Sequence, residues 1–182
     1  MKFYCLFLII FLPLNVIGQT IYNTDSGLVK FNSYAALEII KASSNKLTGI
    51  LDAGKKTFAF DVNINSFQGF NGSLQREHFN ENYLETNKFP TATFAGKIIE
   101  EIDFTVAGKY NIRAKGTLNI HGVRQERIIK CVITINHDAI LVESEFTVLL
   151  NDHDIKVPKV VHEKIASEIQ VTVKTELKKK NN

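Results

Sequence analysis

The sequence predicts an all-β fold: an eight-stranded antiparallel β-barrel with a short helix closing one end. Three observations predict it. Apolar and polar residues alternate with period two over long runs. Turn-forming Gly, Asn and Asp residues punctuate those runs. One long excursion, residues 71–89, leaves the strand pattern and returns to it. Eight strands with one apolar face each can stack as a sandwich or close as a barrel. Long, even strands and a single internal helix favour closure.

The chain begins MKFYCLFLIIFLPLNVIG, with one charge at Lys2, an apolar run from Phe3 to Leu14, and small residues at the end. This predicts a secretory signal peptide over residues 1–18, with Gln19 the first mature residue and one domain over 19–182. The apolar run is too short for a permanent membrane anchor. The mature part is about 160 residues, the size of one domain with a sizeable core.

Strands are predicted near 26–33, 46–52, 56–65, 91–99, 110–120, 126–136, 139–149 and 167–177. In TFAFDVNIN, Phe58, Phe60, Val62 and Ile64 share one face, and Thr57, Asp61, Asn63 and Asn65 the other. In the last run Ile169, Val171 and Val173 oppose Glu168, Gln170, Thr172 and Lys174. Asp52-Ala53-Gly54-Lys55, His121-Gly122 and Asn136-His137-Asp138 are turn signals. A helix is predicted between Ser73 and Glu85, capped by Asn71-Gly72-Ser73, and a second short one over Lys159–Ile165 after Pro158. The 71–89 excursion lies between neighbouring strands, where it would cap a barrel mouth, with His78, Asn80 and Asn82 tying it to the rim.

Charge and composition exclude several classes. The formal net charge of +3 falls to +2 without Lys2, too small and dispersed for nucleic acid. The run Lys178-Lys179-Lys180 reads as a frayed, solvated tail or as a weak contact for an anionic membrane surface. With Cys5 in the signal segment, Cys131 has no disulfide partner and reads as a small buried hydrophobe. No nucleophile elbow and no Gly-rich phosphate loop occurs, and His78, His121, His137, His153 and His162 include no i, i+4 pair. Asp152-His153-Asp154 reads as turn chemistry, and Glu100-Glu101 as solvated carboxylates. The expectation is a protein that is not an enzyme and has no metal and no cofactor.

Thirteen phenylalanines and no tryptophan make the aromatic stock lopsided. Phe31, Phe58, Phe60, Phe94, Phe104 and Phe146 are predicted to point inward. They either fill the core or line a cavity for one small elongated ligand.

Two segments, EHFNENYLETNKFPTATFAGKI at 77–98 and AKGTLNIHGVRQERIIKCVITI at 114–135, resemble the YceI-like family of exported lipid-binding barrels. The matching positions are His78-Phe79, Glu85, Phe89-Pro90 and Thr93-Phe94, then Gly116, Leu118, Ile120, Gly122 and Val123. Where the family often carries Arg-Asp-x-His, this chain has Gln75-Arg76-Glu77-His78. The resemblance implies a lipocalin-like barrel in the periplasm, or secreted, that holds a hydrophobic small molecule, a polyisoprenoid or isoprenoid quinone, in its lumen. Lining residues would then be Phe31, Phe58, Phe60, Val62, Phe79, Phe94, Leu118, Ile133 and Phe146, with Arg76, His78 and Asn80 reaching a head group at the rim. A homodimer is left open.

Overall fold

The computed structural model describes residues 20–180, so the predicted signal segment lies outside the described residues. Eight strands form the wall: β1 (Ile21–Tyr34), β2 (Ile39–Asp52), β3 (Thr57–Asn63), β4 (Thr91–Ile98), β5 (Gly108–Ile120), β6 (Val123–Ile135), β7 (Ala139–Leu149) and β8 (Glu168–Lys179). Each pairs antiparallel with its sequence neighbour, and β8 pairs back onto β1. The sheet therefore closes on itself and leaves no free edge.

The predicted strands are all present, but two are much longer than expected. β1 reaches back to Ile21 and β2 to Ile39. The cause is a bulge: β1–β2 pairing shifts register between Thr24 and Gly27 and again before Val29. Tyr22 and Thr24 are buried before it, and Gly27 and Val29 after it. Inward residues thus change from even to odd numbers, and the period-two signal breaks there. The lysine run is also corrected. Lys178 and Lys179 are the end of β8, paired with Asn23 and Tyr22, and not a frayed tail.

The two ends of the barrel differ. One is plugged: Tyr22, Leu51, Ile98, Phe104, Ile135, Ile140 and Leu177 pack together, with Phe104 supplied by the β4–β5 connection. Arg113 donates to Glu100 there through Nε at 2.7 Å, so Glu100 is an ion-paired strand-end residue, not a solvated carboxylate. The opposite end carries the β1–β2 hairpin, the 64–90 excursion, the tight His121-Gly122 turn and the 150–167 connection. His121 (φ 53°) and Gly122 (φ 75°) are both left-handed, as a two-residue hairpin of this hand requires.

The helical excursion also departs from expectation. Helix α1 (Ser73–His78) is only six residues long and passes into a wide π-type turn over Phe79–Tyr83. Its start has no side-chain cap from Asn71 or Ser73. Instead the Asn71 N–H donates to Oε1 of Gln75 at 3.0 Å. The predicted helix at 159–165 is a single 3-10 turn, Lys159–Val161.

The wall is not uniform. The β6–β7 ladder runs only from Cys131↔Ser144 to Ile135↔Ile140. Toward the mouth, side chains bridge that seam. Ser144 Oγ donates to the Lys130 carbonyl (2.8 Å), Arg127 to the Thr147 carbonyl (2.7 Å), and the Gln125 amide to the Asp152 carbonyl (2.7 Å).

Candidate ligand-binding site

Alternation along the strands sends one apolar row per strand into the barrel, and the residues that result are too few and too small to fill it. An elongated cavity of about 710 Å³ runs from Leu51, Ile98 and Leu177 near the plugged end to Phe70, Leu74 and Val161 at the mouth. That volume lies within the range of about 300–1,000 Å³ usual for ligand pockets.

The walls are mostly apolar, and three of their five hydroxyls are already committed. Ser33 Oγ accepts the Ala166 N–H at 2.9 Å, Ser144 donates to Lys130, and Thr175 Oγ1 donates to Thr24 Oγ1 at 3.0 Å. A guest in this lumen meets mostly carbon and sulfur, with the polar groups of His78, Tyr83, Thr93 and Lys164 also in the lining. Two aromatic groups shape it. Phe58, Phe60 and Phe94 form one across β3 and β4, with centroids 5.0 Å apart for Phe58–Phe94 and 6.0 Å for Phe58–Phe60. Phe31 on β1 meets three rings of the excursion: it stacks on Phe79 at 5.4 Å and lies 5.5 Å from Phe67 and 6.0 Å from Phe70. The second group seats the excursion over the mouth.

Polar contacts fasten that cover. Glu38 Oε1 accepts from Asn71 Nδ2 (3.0 Å) and Gln75 Nε2 (2.9 Å). Arg76 donates to the Asn65 carbonyl (3.0 Å), and Thr86 Oγ1 to Asn65 Oδ1 (2.9 Å). His121 faces Glu85 through Nε2 (2.9 Å) and the His153 carbonyl through Nδ1 (3.1 Å). The tethers to the rim are therefore Asn71, Gln75 and Glu85, with Arg76 and Thr86 bracing the excursion internally on Asn65, and not the expected His78, Asn80 and Asn82 side chains.

The hydrogen bond from Lys88, and then that from His121, hold the Glu85 carboxyl below the usual carboxylate range. A depressed carboxyl stabilises the fold above its unfolded value of about 4.3, and that contribution is lost as pH falls through the lower folded value. A stability gap between the wild type and Glu85→Gln is expected at pH 7. It closes as the pH drops below about 4; a gap that persists in acid would mean the carboxylate is not the tether.

Of the residues singled out in the sequence, Phe31, Phe58, Phe60, Val62, Phe79, Phe94, Leu118, Ile133 and Phe146 all face the cavity, and His78 stands at its mouth. Arg76 and Asn80 do not line it. Arg76 is occupied by Asn65, and Asn80 Oδ1 is buried without a partner. Phe67, Phe70, Tyr83, Val161 and Ile165 line the cavity and were missed. Among the described residues no group of three or more His, Cys, Asp or Glu is arranged to hold a metal ion.

The YceI-like domain model matches residues 22–177, nearly the whole described chain. The chain belongs to the YceI-like family. Solved structures agree on the fold. A polyisoprenoid-binding domain from Saccharophagus degradans, implicated in plant cell wall breakdown, superposes with a TM-score of 0.75 at 12% identity, covering 90% of this chain and 100% of that one. BcnA of Burkholderia cenocepacia gives 0.67 at 14% identity, covering 83% and 95%. The Campylobacter jejuni YCEI protein gives 0.55 at 15% identity, with both chains fully covered. Comparison with curated proteins finds no match.

In this YceI-like barrel Cys131 lines the cavity, with its Sγ directed to the Ile129 carbonyl at 3.7 Å. Burial pushes its thiol up, with the Ser144 hydroxyl opposing. The thiolate is the reactive form, so the native protein is expected to alkylate at Cys131 about tenfold more slowly, or slower still, than the denatured chain at neutral pH. Peptide mapping after iodoacetamide reads this. Equal rates would mean that Cys131 is open to water.

Proposed function

We propose that this protein is an exported binding protein that holds one hydrophobic, isoprenoid-type lipid in the barrel lumen, for transport, storage or sequestration, and that it is not an enzyme. The observation that carries this reading is the elongated, predominantly apolar cavity enclosed by the barrel wall. Affinity in such a lumen comes from buried carbon surface, about 25 cal/mol per Å². A long hydrocarbon chain supplies that surface and asks for no hydrogen bond. The Saccharophagus degradans relative, described as a polyisoprenoid-binding domain, supports the same ligand class, a polyisoprenoid or isoprenoid quinone. The leader-like residues 1–18 support a periplasmic or secreted site of action.

Lining roles are proposed for Phe31, Phe58, Phe60, Val62, Phe79, Phe94, Leu118, Ile133 and Phe146, with His78 beside any head group at the mouth. The test is titration with a dye that fluoresces in apolar cavities, followed by competition with an isoprenoid quinone. Saturable fluorescence that the quinone removes is expected. A native protein that gives no signal after solvent extraction would instead be a solid-core interaction protein.

A further inference from the structure

Exposed apolar side chains are ordinary when scattered singly. Here three of the most exposed stand around the cavity mouth: Val160 at 88% exposure, Leu37 at 67% and Leu74 at 61%. They come from three elements that the structure ties together. The Leu37 N–H donates to the Glu163 carbonyl at 2.8 Å, which joins the β1–β2 hairpin to the 159–165 segment. Glu38, next in the hairpin, accepts from Asn71 and Gln75 and so joins it to α1. Tyr34 and Ile39, paired across the base of the hairpin and about half exposed, extend the patch down the outer wall. Leu74 and Val161 also line the cavity, so patch and lumen are continuous.

One stretch of this rim is cationic, set among the exposed carboxylates of Glu77, Glu81 and Asp154 on neighbouring stretches. KVPKVVHEK, residues 156–164, holds three lysines and one glutamate, net +2 without its histidine. Lys156, Lys159 and Lys164 are exposed, and none is in an ion pair among the described residues. Apolar side chains projecting beside unpaired lysines form the composition that partitions into the headgroup region of an anionic bilayer. The opposite end is plugged, so a bilayer held there would have no path to the lumen. No helix among the described residues is long and apolar enough to cross a membrane.

We infer that the rim formed by Leu37, Leu74 and Val160, with Lys156 and Lys159, docks the barrel mouth-down on an anionic lipid bilayer. Docked this way, a hydrocarbon chain passes between bilayer and lumen without crossing water. That role rests on the function proposed above; the docking itself is read from the rim alone.

The test is co-sedimentation of the purified protein with vesicles of phosphatidylglycerol and phosphatidylethanolamine, against vesicles of phosphatidylcholine. Binding to the anionic vesicles that weakens with salt is expected. Leu37→Asp/Val160→Asp should cut it at least tenfold, and Lys156→Gln/Lys159→Gln should lower it and flatten its salt dependence. Native mass spectrometry of each variant reports folding and lumen contents separately. An empty lumen with intact vesicle binding would overturn the lipid-carrier reading and leave the docking standing. Wild type that ignores anionic vesicles at low salt, or variants that bind like wild type, would overturn the docking. So would a dimer that the Leu37→Asp/Val160→Asp change dissolves, since the rim would then belong to a second copy.

Discussion

Phe60→Asp is expected to leave the barrel folded and to weaken retention of its lumen guest by about tenfold to a hundredfold. Phe60 projects from the middle of β3, half-buried, 6.0 Å from Phe58 and packed against both the plugged-end and mouth-end clusters. Removing such a ring forfeits about 1.5–3 kcal/mol of apolar burial, and each 1.4 kcal/mol is tenfold in affinity. The new carboxylate adds a desolvation cost wherever a hydrocarbon chain covers it. Asn63→Asp is the control. Asn63 is exposed and accepts the Asn65 N–H at 2.9 Å, a role an aspartate keeps. A surface change of this kind stays within about 0.5 kcal/mol. Ligand extracted and quantified from each purified protein reads the difference. Equal retention by a folded Phe60→Asp protein would place the guest elsewhere.

The second large effect is on folding. Gly96 and Gly116 sit opposite each other across β4 and β5. A methyl group on Gly96 would overlap the Lys115 carbonyl oxygen, and one on Gly116 the Ala95 carbonyl oxygen. The obstacle is backbone, which cannot swing aside as a side-chain end can. Gly96→Ala is therefore expected to cost about 3 kcal/mol, the upper end of the usual overpacking range. For a chain of this size that lowers Tm by roughly 6–12 °C. Denaturant unfolding of the two proteins measures it. A cost below about 0.5 kcal/mol would mean the wall relaxes freely at this point.

These effects show what was legible in the sequence. β3 to β8 could be read because each carries a predominantly apolar face over several alternations, so Phe58, Phe94 and Phe146 follow from alternation, even though Ser144 and Thr175 interrupt the face on β7 and β8. The first halves of β1 and β2 could not. A bulge flips the inward phase near Gly27, and buried polar residues such as Thr24, Ser33 and Ser44 look like outward ones. The excursion was legible as a cover, but its fastening was not. Glu85 and His121 are far apart in sequence, and no periodicity joins them. Phe67, Phe70, Val161 and Ile165 lie on irregular backbone, where neither the period of a strand nor that of a helix applies. The π-type turn at Phe79–Tyr83 rotates the residues that follow α1 away from helical spacing, and Asn80 accordingly misses the rim position that spacing gave it.

The exposed rim has a related lesson. Leu37, Leu74 and Val160 lie in three loops far apart in sequence, and no periodicity sets them off from their neighbours. Only the closed barrel brings them to one opening, beside the lysines of the 156–164 segment.

The proposed function requires that the lumen carry a hydrocarbon chain. Native mass spectrometry of the purified protein, followed by solvent extraction and identification of what is released, tests it most directly. A mass increment of one isoprenoid-type lipid per barrel is expected, much reduced in Phe60→Asp and kept by Asn63→Asp. A barrel recovered empty from a cell that makes isoprenoids, and unable to take one up when supplied, would contradict it.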